Sequence, residues 1–115
     1  MRGTYLWLGQ LVSGVLIAGL LGIHIVVQHL NAALGTTDPT AWGPMIARAS
    51  QGAWMGLYIA LLAFGLYHGI NGLRGIILES TASVRTGHIV TWVLIVFGII
   101  VFIWGTYVPV ALAAS

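Results

Sequence analysis

The hydrophobic positions of this chain fall into three long blocks, unlike the short alternations or narrow stripes of a water-soluble fold. Gly3 to Thr37, Ala49 to Leu73 and Thr86 to Ser115 carry no formal charge. Each is longer than the roughly 20 residues that cross a bilayer as a helix. Polar positions gather in between. Gly35-Thr-Thr-Asp38-Pro39-Thr-Ala-Trp42-Gly43-Pro44 is dense in turn formers, and Glu79-Ser-Thr-Ala-Ser-Val-Arg85-Thr-Gly87 makes a short polar connection. The pattern predicts helices over about 5–33, 47–79 and 86–112. The connections are too short to hold a soluble domain, so residues 1–115 read as one membrane domain. The expected fold is all-α, with three transmembrane helices running up-down-up.

Polar exceptions inside the blocks are periodic. Gln10, Ser13, His24, Gln28 and Asn31 project from one face of the first helix. Facing lipid, such a stripe would leave polar groups unsatisfied, so it should meet protein, cofactor or enclosed water. In the second helix, residues 4, 7 and 11 positions after His68 return to within about 40° of it. They are Gly72, Gly75 and Glu79, so the imidazole heads a strip with almost no side chains. Thr91, Gly98 and Gly105 recur every seven residues in the third helix, and Gly65 and Gly69 stand four apart in the second. Small residues at such spacings suit close helix contact.

Composition agrees with a membrane protein. Apolar residues make up 59% of the 115 and charged ones 5%, against about 25% charged in soluble domains. The net charge of +2 rests on four arginines and two acids, too few to suggest nucleic-acid binding. With no cysteine, disulfides, thiolate metal sites and cysteine nucleophiles are excluded. Threaded up-down-up, Arg2, Arg74 and Arg85 fall at one membrane face and Arg48 at the other. The positive-inside bias then sets the N-terminus and the 79–87 connection in the cytoplasm. The stretch from Tyr5 is too long for a signal-peptide core, and no Arg-rich transit segment precedes it. A prokaryotic cytoplasmic membrane is the expected location.

His68 is the leading candidate for chemistry, because an ionisable group deep in a span is costly without a partner. Deep histidines beside glycine-lined faces suit haem, whose iron takes axial imidazole. The bland alternatives are hydrogen-bonded interior histidines for His68 and His24, a snorkelling role for Arg74, and interfacial belts for Trp7, Trp42, Trp54, Trp92 and Trp104. His29 and His88 read as residues of the outer and inner interfaces. Glu79 can pair with Arg74 or Arg85. By helical rise, His24 lies about 12 Å farther out than His68, so one iron cannot take both.

His68, Gly72, Leu73, Arg74 and Glu79 form the pattern His-x3-Gly-Leu-Arg-x4-acid. It resembles that of the cytochrome b membrane anchors of succinate dehydrogenase and fumarate reductase. Trp7 through Val12-Ser13-Gly14, with His24 eleven residues after Ser13, is similar to the first helix of the smaller, three-helix anchor. Gly105-Thr106-Tyr107-Val108 resembles the end of its third. The resemblance covers essentially the whole chain. It implies a membrane anchor of respiratory complex II, forming half of a larger heteromeric helix bundle. The implied partners are a second hydrophobic anchor, an iron–sulfur subunit, a flavoprotein subunit and membrane lipid. It further implies one or two haem b groups and a quinone, so that electrons pass between the iron–sulfur subunit and the membrane. His68 becomes an axial ligand and Arg74 a partner of haem propionates or of the quinone pocket. The candidate cofactor-binding residues are His68, Arg74, Gly72, His24 and Ser13, with His68 and His24 as candidate iron ligands. Two positions depart from many relatives. Ser80 stands where a quinone-bonding Tyr often follows the acid, and Leu11 stands where an Arg often precedes Val-Ser-Gly. The competing class is a non-redox membrane subunit, a transporter component or assembly factor, with structural histidines.

Overall fold

The computed structural model describes residues 2–30, 38, 41–81 and 83–114. Helix α1 covers Arg2–Ile25 and runs on into a π-helical turn, Val26–Leu30. A short helix α2 covers Trp42–Ala49, α3 covers Gly52–Glu79 and α4 covers Val84–Ala114. Three stretches are long and apolar enough to cross a membrane: Gly3–Leu30, Gly52–Glu79 and Val84–Ala114. The longest dimension of the chain is 53 Å, more than the ~30 Å hydrocarbon core of a bilayer.

The expected second helix, 47–79, is instead two helices. Pro44 occupies the first turn of α2, where its missing N–H has no carbonyl to bond in any case. The Trp42-Gly43-Pro44 run therefore starts a helix and does not break one. The break falls later, at Ser50 in the αR region and Gln51 in extended backbone. The first helix also differs from expectation, since its α-helical part ends at Ile25 and the π turn follows; residues 31–33 lie outside the described ones. So do most of the turn-forming residues from Gly35 to Thr40. The connection between α3 and α4 is tight. The Ser80 hydroxyl donates to the Ile77 carbonyl (2.8 Å), and the Thr86 amide donates to Ser83 Oγ (3.4 Å), capping the start of α4.

Helix α3 stands in the middle. Among the described residues, α1 and α4 both pack on it and not on each other. Both pairings are antiparallel: Gln10 meets His68 while Gln28 meets Tyr58, and Thr91 meets Arg74 while Gly105 lies under Leu62. The result is an open layer, not a closed bundle. Only Ser13, 2% exposed, and Ala49, 6% exposed, are buried among the described residues. The α3–α4 seam uses the small residues picked out by spacing, since a Cβ at Gly98 would meet Ile70 Cδ1 and one at Gly105 would meet Leu62. Gly65 and Gly69 do not serve this purpose; among the described residues nothing lies within 4 Å of where their Cβ atoms would stand.

Candidate functional site

The α1–α3 contact is a polar clasp built around His68. Its Nδ1 lies 3.2 Å from the Gln10 carbonyl oxygen and 3.3 Å from Ser13 Oγ. The Ser13 hydroxyl donates its own proton to the Gln10 carbonyl at 3.1 Å. Nδ1 thus faces two acceptors, and only the tautomer carrying a proton on Nδ1 satisfies both. Gln10 answers from its side chain: Nε2 donates to the His68 carbonyl at 3.1 Å, and Oε1 accepts from Asn71 Nδ2 at 2.9 Å. The Tyr67 hydroxyl donates to the Leu6 carbonyl at 3.4 Å, extending the clasp by a turn. Among the described residues nothing hydrogen-bonds His68 Nε2.

Glycines make the approach possible. A Cβ on Gly14 would stand 3.3 Å from His68 Cε1, one on Gly72 would stand 3.1 Å from Gln10 Nε2, and one on Gly9 would meet the Tyr67 hydroxyl. Gly72 therefore lies against the Gln10 amide, so this part of the strip below His68 is covered by α1. Gly75, three residues on, stays open, as do Gly19 and Gly22 on α1. Ser13 is brought to His68, as its place on the polar stripe allows.

Arg74 is not brought to His68. Six residues on, it projects about 120° around the helix, and its Nε donates to Thr91 Oγ1 of α4 at 2.8 Å. Thr91 passes its own proton to the Gly87 carbonyl at 2.8 Å. Glu79 is exposed and makes no ion pair among the described residues. Two clefts meet at Arg74 and Thr91. One of about 590 Å³ runs along the α3–α4 pair with Leu6 of α1 at its rim and is mostly apolar; the other, of about 270 Å³, opens at the α3–α4 turn and includes Ser83 and His88.

His24 belongs to a second polar group at the far end of the layer. Its ring stands edge-on to Tyr58, with centroids 5.9 Å apart. Tyr58 lies ten residues before His68 on α3, about 15 Å by helical rise, so the two histidines occupy different depths. The Tyr58 hydroxyl accepts from Gln28 Nε2 at 3.3 Å and from Arg48 Nε at 3.2 Å, and Arg48 Nη2 donates to Gln28 Oε1 at 3.4 Å. His24 Nδ1 is buried and unpartnered among the described residues. It borders a cavity of about 360 Å³ shared with His29, Arg48 and Tyr58. Tyr58 and Asn71 were not picked out by sequence reasoning, and Arg48 was picked out only for its membrane face. Helical phase gives a face, and these residues matter through the partner they meet. Among the described residues no three of His, Cys, Asp or Glu cluster as a metal site, so His68 and His24 stand as single imidazoles at separate levels.

Residues 2–105 match the family described as succinate dehydrogenase/fumarate reductase transmembrane subunit. The chain is 30% identical over 88% of its length to the succinate dehydrogenase hydrophobic membrane anchor subunit of Archaeoglobus fulgidus, covering 83% of that protein. It is 27% identical over 90% of its length to the subunit of the same description from Thermoplasma acidophilum, covering 82% of it. No solved structure matches it significantly. Three membrane-length helices and a match running from the start of α1 to Gly105 make this chain a multi-pass membrane anchor of the succinate dehydrogenase/fumarate reductase transmembrane family.

Proposed function

We propose that the chain is the smaller anchor of a succinate:quinone oxidoreductase and that His68 is an axial ligand of a haem b. The observation that carries this reading is the placement of His68 Nδ1 against the Gln10 carbonyl oxygen and Ser13 Oγ, which selects the Nδ1–H tautomer. With Nδ1–H held by the Gln10 carbonyl and Ser13 Oγ, the lone pair is left on Nε2, which hydrogen-bonds nothing among the described residues. A ligating histidine has this arrangement, in which an acceptor on the other ring nitrogen fixes the ring and raises its basicity. Gly65, Gly69 and Gly75 leave α3 open near that imidazole, as close contact with a flat macrocycle requires. When bound, a haem supplies a one-electron station between an iron–sulfur subunit and membrane quinone. The chain's own part is to hold the imidazole, fix its proton on Nδ1 and keep water from the clasp.

His68 is the imidazole this chain offers at that level, so any further protein ligand would come from a second hydrophobic anchor. An open layer with two buried residues among those described needs further helices to cover its polar and glycine-lined faces, and an iron–sulfur subunit and a flavoprotein complete the assembly. His24 is the candidate ligand for a second haem. Its buried, unpartnered Nδ1 supports a role beyond the contacts of this chain alone. Ser80 offers no phenol for a quinone, so most quinone ligands come from the other subunits. Arg74 and Arg85 lie at the α3–α4 end with the start of α1, while Arg48 lies at the other. That distribution supports a cytoplasmic N-terminus in a prokaryotic cytoplasmic membrane.

The decisive experiment replaces His68 by Ala in the assembled complex and compares reduced-minus-oxidised spectra and haem content. Loss of a bis-imidazole b-type signal with the subunits still co-purifying is expected. An unchanged spectrum at full haem content removes His68 as a ligand. His24→Ala beside it halves haem content only if two haems are bound.

A further inference from the structure

Next to the clasp, the α3–α4 pair carries a groove shaped for an amphiphile. Along the α3–α4 pair, with Leu6 of α1 at its rim, runs an apolar cleft of about 590 Å³, and it joins a smaller, polar cleft of about 270 Å³ through Arg74 and Thr91. On α3 the long cleft reaches from Arg74 back to Ala63, and on α4 from Thr91 forward to Phe102. Both stretches span twelve residues, eleven steps of rise or about 16 Å. Half of a ~30 Å hydrocarbon core is about 15 Å, so the cleft is as long as one leaflet is deep. Of α1 only Leu6 borders it, so its side away from α4 is not sealed by a helix along its length.

Charge selects the head end. No carboxylate lines either cleft, while Arg74 stands where they meet and His88, Ser83 and Thr81 line the polar one. Arg74 spends only its Nε on Thr91; its Nη groups hydrogen-bond nothing among the described residues. A guanidinium at the junction of a polar mouth and an apolar channel is matched by a phosphate ester, which accepts two parallel N–H bonds. A neutral quinone head carries no such charge. We propose that this cleft holds one phospholipid, its acyl chain lying beside Leu66, Ile70, Leu94 and Phe102 and its phosphate at Arg74. The lipid fills the groove of the α3–α4 pair, on the side that α1 borders only at Leu6.

Native mass spectrometry of the intact complex, extracted in mild detergent, tests the site. The wild type should retain an adduct of phospholipid mass, and Ala63→Phe, which fills the channel, should retain one fewer in spectra that still contain every subunit. Arg74→Gln keeps the channel open and should lower retention of phosphatidylglycerol several-fold in vesicles that offer it. The wild-type result stands whether or not the variants assemble: absence of any phospholipid adduct overturns the proposal. An adduct of quinone mass lost in Ala63→Phe overturns it too, as does an equal phospholipid count in wild type and assembled Ala63→Phe. Since His68 does not line the cleft, the b-type spectrum reports separately on the haem reading.

Discussion

The two flanks of α3 are held by different physics. Toward α1 the contact is polar: Gln10, Ser13 and the Leu6 carbonyl meet Tyr67, His68 and Asn71 through a chain of hydrogen bonds. Toward α4 it is a seam of small residues under apolar side chains, with the Arg74–Thr91 bond as its cross-link. Lipid tails are as apolar as leucine, so neither flank gains from the hydrophobic effect that would build a soluble core. Directional bonds on the first flank fix a rotamer and a tautomer. Close backbone approach on the second fixes only a distance. A ligand-bearing histidine needs the former, which is why the candidate site lies on the α1 side.

The sharpest way to break this contrast is to add one methyl group to each flank. At Gly98 a Cβ meets Ile70 Cδ1, the end of a flexible side chain, although the overlap is nominally the worse of the two. At Gly14 it comes within 3.3 Å of His68 Cε1, on a ring held by two acceptors that cannot retreat without losing them. Gly14→Ala should therefore cost about 1–3 kcal/mol through a displaced, partly unpaired imidazole, whereas Gly98→Ala should cost under about 1 kcal/mol as Ile70 changes rotamer. Thermal unfolding of the complex, with haem content read alongside, measures both. A larger loss at Gly98 would mean the α4 seam is the more constrained flank.

A smaller effect is expected from removing the clasp's bridge. Gln10→Ala keeps the Gln10 backbone carbonyl that holds Nδ1 but deletes the bonds to the His68 carbonyl and to Asn71. Asn71 retains a weak alternative in the Leu6 carbonyl at 3.5 Å, so the loss should be about 1 kcal/mol. On the haem reading proposed above, haem content should be unchanged, with a shifted midpoint potential. Complete loss of haem would show that the side chain, and not the carbonyl, positions the ring.

Much of this was legible beforehand, and the rest has a physical reason for being hidden. The three spans follow from uncharged length, and the stripe through Gln10 and Ser13 correctly demanded a protein partner because lipid offers none. The seam of Thr91, Gly98 and Gly105 was visible as a period of seven. Helical phase does not say which neighbour a face meets. Gly72 shares a face with His68, yet it serves the Gln10 amide; Arg74 stands in the same short motif, yet faces α4. The Gln28–Arg48–Tyr58 group joins three separate elements, so no local pattern announces it. Helix α2 was missed because Pro44 reads as a breaker unless the helix is known to start two residues earlier.

The mildest test concerns the single directional bond of the α4 flank. Thr91→Val keeps the shape of the side chain and removes the acceptor that Arg74 Nε meets at 2.8 Å. In a sealed core, an unpaired guanidinium would cost several kcal/mol. Arg74, however, is five residues from the end of α3 and borders the polar cleft at the turn, where a long side chain reaches water or a phosphate by snorkelling. The expected loss is therefore about 1 kcal/mol or less. The b-type spectrum should not move, because nothing on this flank touches His68. Thermal unfolding of the complex beside its difference spectrum separates the outcomes. A spectral shift in Thr91→Val would mean that strain crosses α3, and that the two flanks act as one unit.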